Sequence, residues 1–326
     1  MFAFRRVGGL IATTVLAALA LAGCGGGGDS ATTGEAAPDS SSSAAATRQI
    51  KDATGTMITV PANPQRVVTL TQEDLDAALA LGVRPVGITN GQGLDRPPAY
   101  LEDKVAGIPI VGNLLQPVIE KVVEVRPDLI LAGDMQDQQI LDQLRKITPA
   151  TVVTMAPTDD WKLSFKAIAN TLNRLDEAEK VLADYEAKVA EVKGRLGKNA
   201  GAEVSIVRWN PQGPSWMERR QFAGSIALDL GLKRPKAQDK DGTAHSMPLS
   251  LEALDEIDGE WLFLSSLTED GRKALDEVKE SKAFQELKAV KNDHVVTVDG
   301  SVWSTRGGPL AAQVVLDDYA KALADR

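Results

Sequence analysis

The chain has 326 residues, a formal net charge of −9, one cysteine, two histidines and five tryptophans. That length has room for two domains with real cores, and an apolar fraction of 43% excludes a polytopic membrane protein and a wholly disordered one. The acidic balance argues against a nucleic-acid partner, the lone cysteine excludes an internal disulfide, and two histidines leave little material for a zinc or copper site.

Arg5 and Arg6 precede Val7 to Ala22, an apolar stretch the length of a signal h-region and short for a membrane span. It ends in Leu21-Ala22-Gly23-Cys24, which resembles a bacterial lipobox. The resemblance implies cleavage before Cys24 and lipid attachment at that thiol, on the extracytoplasmic face of the cell membrane. Residues 24–47 are Gly, Ser, Ala, Thr and Asp with almost no bulky apolar side chain, so a flexible tether is expected. Residues 1–23 carry two arginines and no acid, so their removal takes the net charge to −11.

From Arg48 the pattern changes. Arg48–Asp52 and Met57–Val60 flank Thr54-Gly55 and predict a hairpin, ended by Pro61 and Pro64. Strands follow at Val67–Leu70, Val86–Ile88, Ile108–Val111, Leu129–Ala132 and Thr151–Met155. Helices are expected at Asp74–Leu81 (closed by Gly82), Pro117–Val125 and Gln136–Ile147. Short apolar strands alternating with helices predict an α/β fold with a largely parallel sheet covered on both faces. Asn173 ends a short helix, and Asp176–Leu196 then carries apolar residues at 3/4 spacing, a helix of roughly 30 Å. After Gly197-Lys198-Asn199 the pattern restarts. Strands are expected at Val204–Trp209, Trp261–Ser265 and Val295–Asp299, and helices at Gly224–Leu230, Arg272–Leu287 and Pro309–Leu323. The organisation is therefore a signal at 1–23, a tether at 24–47, lobes at 48–172 and 200–326, and a connecting helix within 173–199. Glu120–Ala132 aligns with Glu252–Leu264 as a faint repeat of helix, turn, acid and apolar strand, with Glu120 over Glu252.

Taken together, Val60-Pro61-Ala62-Asn63-Pro64-Gln65-Arg66-Val67-Val68, Ala80-Leu81-Gly82-Val83, Val111-Gly112-Asn113 and Arg126-Pro127-Asp128-Leu129-Ile130 resemble the siderophore-binding lipoproteins of bacterial ABC iron importers. Gly231-Leu232-Lys233-Arg234-Pro235, Ser250-Leu251-Glu252 and Trp303 with Asp317-Asp318 continue the resemblance to the C-terminus. It implies two Rossmann-like lobes with mainly parallel sheets joined by one long α-helix, and a ferric siderophore held in the cleft between them. It implies no enzymatic activity, no cofactor beyond the iron inside the ligand, a monomer, and delivery to an ABC permease that docks on Glu120 and Glu252. Haem- and cobalamin-binding proteins share the architecture and stand as the alternative ligands.

The residues offer candidates for the cleft. Arg208 to Arg220 holds two tryptophans and three arginines on an Asn-Pro-Gln-Gly-Pro loop at a strand end, where open α/β sheets present ligand groups. Arg208, Trp209, Trp216 and Arg219 are taken from it, with one of Arg219 and Arg220 expected to face inward. Arginine offers forked donors to chelate oxygens and tryptophan a flat apolar wall. Trp303 and Arg306 come from a second strand-end loop, and Gln72 and Asn90 from the amino-terminal lobe. The arginines suit an anionic complex, the tryptophans a neutral hydroxamate. Trp161 and Trp261 are assigned to packing. Direct ligation of iron by Tyr185, Tyr319, His245 or His294 is not expected, since the tyrosines lie on helices and the histidines are far apart. A lipid-anchored hydrolase is the reading from another class, but Ala223-Gly224-Ser225-Ile226 does not make a nucleophile elbow.

Overall fold

The computed structural model describes residues 46–324. The signal segment, Cys24 and the tether up to residue 45 lie outside the described residues. Thr47, assigned to the tether, is already the first residue of a strand.

The hairpin forms from Thr47–Lys51 and Met57–Pro61, antiparallel from Thr47↔Pro61 to Lys51↔Met57. Asp52 fastens its turn by accepting from the backbone N–H groups of Thr54 and Thr56, each at 2.9 Å. Ile50, Ile58 and Val60 carry the hairpin onto a core shared with Phe165, Ile168 and Leu172.

Behind it, Val67–Thr69, Leu129–Leu131 and Thr151–Val152 form a parallel sheet. Every residue of these strands is buried, which is why they read as continuous apolar runs rather than alternating ones. A bridge between Val68 and Gly87 links this sheet to a smaller ladder of Ile88–Thr89, Ile110–Asn113 and Gln116–Pro117. Helix Gln72–Ala80 starts where the Thr71 hydroxyl accepts from the Asp74 N–H, and ends before Gly82 at φ +73°.

Helix Trp161–Leu172 ends at Asn173 with φ 58°, and Leu175–Gly194 then runs for 20 residues. Its buried stripe changes company along its length. Ala178 belongs to the core beneath the hairpin, whereas Tyr185 and Val192 pack with Val204, Ile226 and Val315.

The second sheet has the order Gly213–Trp216, Val204–Asn210, Trp261–Ser265, Val295–Thr297, parallel except at the first edge. Here two expectations are corrected. The 208–220 stretch is not a loop. A two-residue turn with Gly213 at φ +122° folds it into a hairpin, and Pro214 is tolerated because it lies on an edge strand. The helix expected over Arg272–Leu287 is two, Glu269–Lys279 and Lys282–Gln285, because Ser281 caps a new start by accepting from the Phe284 N–H. The final helix, Pro309–Leu323, has the bounds the sequence predicts. The repeat is also visible. Helix Ile119–Glu124 leads to Leu129–Leu131, and the 3₁₀ segment Leu251–Ile257 leads to Trp261–Ser265. Each of those strands lies parallel to the first strand of its own sheet, Val67↔Leu129 and Val204↔Trp261.

Candidate functional site

The carboxyl ends of the two sheets meet. Leaving Thr69, the chain passes through Thr71-Gln72-Glu73. Leaving Thr297, it passes through the short helix Gly300–Trp303 into Ser304-Thr305-Arg306. Gln72 Nε2 donates to the Ser301 carbonyl at 2.8 Å and to Thr305 Oγ1 at 3.3 Å. Arg306 reaches across with its whole guanidinium. Nε pairs with Glu73 at 3.0 Å, Nη1 with Asp134 at 3.1 Å, and Nη2 donates to the carbonyls of Ala156 and Asp159.

Asp76 makes the tightest tie. Its two oxygens accept from the backbone N–H groups of Leu310 and Ala311 at 2.8 Å each, and from the Tyr100 hydroxyl at 2.8 Å. Helix Pro309–Leu323 has no side-chain cap from its own flanking residues. A carboxylate 234 positions earlier in the chain fills that role. Gly308 makes room for it, since a Cβ there would lie 2.5 Å from Asp76 Oδ1. A further tie runs from Lys162 Nζ to Asp229 at 2.8 Å, with Tyr185 donating to the same carboxylate at 2.6 Å.

This junction holds three acids from the start of one helix, Glu73, Asp74 and Asp76, out of water. Burial raises Glu73 to about 7, against the pull of Arg306. Burial raises Asp74 to about 6, opposed by hydrogen bonds from Thr154 and Thr71, and Asp76 to about 6, opposed by the N–H groups it caps. Two small cavities flank Arg306. One of about 50 Å³ is lined by Glu73, Trp161, Arg220 and Phe222. The other, of about 170 Å³, is lined by Gln72, Glu73, Gln92, Leu114 and Asp134.

The predicted site residues divide sharply. Arg208 is 8% exposed at the end of its strand, between its register partners Ser215 and Ser265. Its Nη2 donates to His245 Nε2 at 2.9 Å, its Nε is buried without a partner, and no carboxylate among the described residues pairs with it. Burial lowers its pKa from the ordinary value, but a guanidinium starts so high that it stays charged. Ser265 Oγ donates to Ser304 Oγ at 3.3 Å, so Arg208 sits at the end of the sheet that faces the junction.

The tryptophans expected as walls are almost wholly buried, although Trp209 borders an open depression of about 350 Å³ with Pro211 and Leu251. Trp303 is wholly buried, stacked on Phe263 at 4.8 Å, with Nε1 donating to Asp318 at 2.8 Å. Trp209 is 2% exposed and meets Phe284 edge-on, and Trp216 is 4% exposed with Lys240 over its ring. The reason is strand alternation: Val207, Trp209 and Trp216 share a sheet face with Leu262 and Leu264, which is roofed by Leu275 and Val278. With Trp216 and Trp303 packed away, the tryptophans give less support to a neutral hydroxamate.

Arg219 is held by Asp239 and Asp241 at 3.1 Å each. Arg220, rather than Arg219, lines the cavity beside Trp161. Gln72 and Arg306 are brought together, both engaged in contacts across the junction while bordering the cavity of about 170 Å³. Asn90 donates to Asn113 and lines an open depression of about 540 Å³ at the end of the Ile88–Thr89 strand. Glu120 and Glu252 are both exposed.

Sequence reasoning missed Glu73, Asp76, Asp134 and His245. Glu73 and Asp76 lie at the start of the first helix, where acids have an ordinary place, and Asp134 follows a strand with no pattern around it. His245 stands in a Gly- and Asp-rich loop with nothing local to mark it.

The comparisons agree with this geometry. The sequence profile of the family described as "Periplasmic binding protein" matches residues 67–302. The probable siderophore-binding lipoprotein YfiY of Bacillus subtilis is 35% identical over 282 residues, covering 83% of this chain and 86% of that one. The achromobactin-binding periplasmic protein of Dickeya dadantii is 28% identical, covering 79% and 86%. Among solved structures, Staphylococcus aureus SirA complexed with staphyloferrin B superposes with a TM-score of 0.74 at 27% identity, covering 85% of this chain and 98% of that one. FeuA of Bacillus subtilis complexed with ferri-bacillibactin gives 0.70 at 25% identity, covering 85% and 98%. A match that spans well over half of the chain, on two sheets bridged by one long helix, makes this chain a member of the periplasmic binding protein family.

Proposed function

We propose that this chain captures an anionic ferric siderophore in the cleft between its two sheets and delivers it to an ABC permease at the extracytoplasmic face of the membrane. Arg208 carries the reading. It is a nearly buried guanidinium at a carboxyl strand end with no carboxylate to neutralise it, and such a group is stable only where an anion or ordered water completes its surroundings. The iron arrives with its coordination filled by the siderophore, so the protein supplies charge, hydrogen bonds and shape. Asn90 offers polar contacts from the opposite side, and Arg220 a second cation at the rim. The two relatives bound to siderophores in their solved structures support the ligand class.

The same reading gives Glu120 and Glu252 the task of meeting the permease, one from each sheet-bearing half, because both are exposed and stand at matching places in the repeat. Cys24 would hold the chain to the membrane through lipid. Titration with ferric citrate, a ferric tris-catecholate, ferrichrome, haem and cobalamin tests the ligand. Anionic ferric chelates should bind, and Arg208→Gln should weaken them by at least about tenfold, the scale of losing a buried binding anchor. Binding of haem or cobalamin alone would refute the reading. Reversing both Glu120 and Glu252 to lysine should abolish uptake and leave affinity unchanged.

A further inference from the structure

The arginines at this end of the molecule differ in what orients them. Arg306 faces Glu73 and Asp134, Arg219 faces Asp239 and Asp241, and Arg220 faces Asp241. Arg208 faces an imidazole. We infer that His245 is a positioning residue that orients Arg208 through a neutral acceptor and so leaves its positive charge whole for an anionic group of the bound chelate. The inference rests on the ferric-chelate reading above and adds to it the residue that sets charge selectivity.

The protonation state follows from the partners. A guanidinium only donates, so His245 Nε2, at 2.9 Å from Arg208 Nη2, must offer its lone pair. Nδ1 lies 2.9 Å from the carbonyl oxygen of Ser246, which only accepts, so the ring proton is on Nδ1. The ring is therefore neutral with both nitrogens engaged. A carboxylate in its place would bind the guanidinium more strongly, but would cancel the charge.

The backbone that carries the imidazole is fixed. Met217 bridges to His245 antiparallel, Ser246 N–H donates to the Trp216 carbonyl at 2.9 Å, and Glu218 N–H donates to the Ala244 carbonyl at 2.9 Å. The imidazole is thus stitched to the edge of the sheet that bears Arg208. On both sides of Arg208 the in-register neighbours are buried serines, Ser215 and Ser265, which place no charge beside it. Arg208 Nε is left without a protein partner.

Two measurements on the full mature chain test this. In the first, nitrogen NMR of the imidazoles reads the tautomer without ligand. The chain has two histidines, so the assignment is direct. His245 should show protonated Nδ1 and bare Nε2, and Arg208→Gln should shift its ring and leave His294 unmoved. A proton on Nε2 overturns the inference.

The second is titration of the variants with ferric citrate, a ferric tris-catecholate and neutral ferrichrome. His245→Ala should weaken the anionic chelates several-fold, and His245→Gln, whose amide oxygen can accept, should recover most of that loss. His245→Glu should weaken them by about tenfold or more, with no loss for ferrichrome, because it neutralises Arg208. The double variant His245→Ala/Arg208→Gln should bind no more weakly than Arg208→Gln alone, as expected for two groups acting as one. Anionic binding by His245→Glu equal to wild type, or by His245→Gln as weak as by His245→Glu, overturns the inference. A wild-type chain that binds none of the three chelates yet shows the Nδ1–H tautomer refutes the ferric-chelate reading and not the pairing of His245 with Arg208.

Discussion

Arg306 and Arg208 stand at the carboxyl ends of the same sheet, and the fold treats them in opposite ways. Around Arg306, every guanidinium nitrogen finds an oxygen, two of those oxygens are anionic, and the cavities beside it are small. Around Arg208, the one side-chain partner among the described residues is neutral, only Nη2 is engaged, and Nε is buried without a partner. An arginine whose nitrogens are all engaged holds structure together, whereas the deeper and largely unpartnered Arg208 is the one that the proposed function gives to the ligand. Residue type and loop position cannot separate the two; the partner set does.

The largest effect should fall on the saturated side. Asp76→Ala leaves two helix N–H groups and the Tyr100 hydroxyl without an acceptor in a buried place. A loss of about 3 kcal/mol in urea unfolding is expected, the sum of a lost cap and stranded donors. A loss under ~0.5 kcal/mol would mean that the junction opens readily in solution.

Next comes pH. Glu73, Asp74 and Asp76 have folded pKa values raised by burial to about 7, 6 and 6. The folded state therefore binds more protons than the unfolded one between roughly pH 4 and 7, and stability falls as pH rises across that window. Asp76 alone should account for on the order of 2 kcal/mol of this fall. Urea midpoints at pH 4.5 and 7.5 should differ less for Asp76→Asn than for wild type, and an equal difference would break the assignment.

Arg306→Met should be milder, about 1–2 kcal/mol, because the Arg306 side chain is itself 35% exposed and its ion pairs are partly screened, and the buried Glu73 left behind can take up a proton. The smallest effect sharpens the comparison from the binding side. Trp303→Phe keeps the stack on Phe263, loses the bond to Asp318, and should leave chelate affinity within about twofold. A larger loss would restore Trp303 as a cleft wall.

Local rules carried much of the fold into the sequence. The buried parallel strands showed as apolar runs, and Gly82, Asn173 and Pro309 marked helix ends by their own backbone preferences. Ser281 marks a helix start by a different local rule, a side-chain cap, and was overlooked because the apolar pattern ran on through it. The site was less legible for a different reason. Arg208 could be picked by type and place, but the face a tryptophan takes depends on the hairpin register. The partners that saturate Arg306 lie up to 233 positions away from it. Gln72 was chosen as a ligand group, and its donor is engaged by a carbonyl 229 residues downstream. Long-range pairing decides these roles, and no local signal encodes it.

The cap that Asp76 places on the last helix has a consequence for how the molecule can be taken apart. The first turn of Pro309–Leu323 receives its acceptor only after the Gln72–Ala80 helix is in place. A fragment holding only the carboxy-terminal sheet would carry that turn frayed. A chimera that exchanges one half for that of a relative would need Asp76 and Gly308 to travel as a matched pair, because one supplies the carboxylate and the other the space for it. Despite their internal repeat, the two halves are not interchangeable modules.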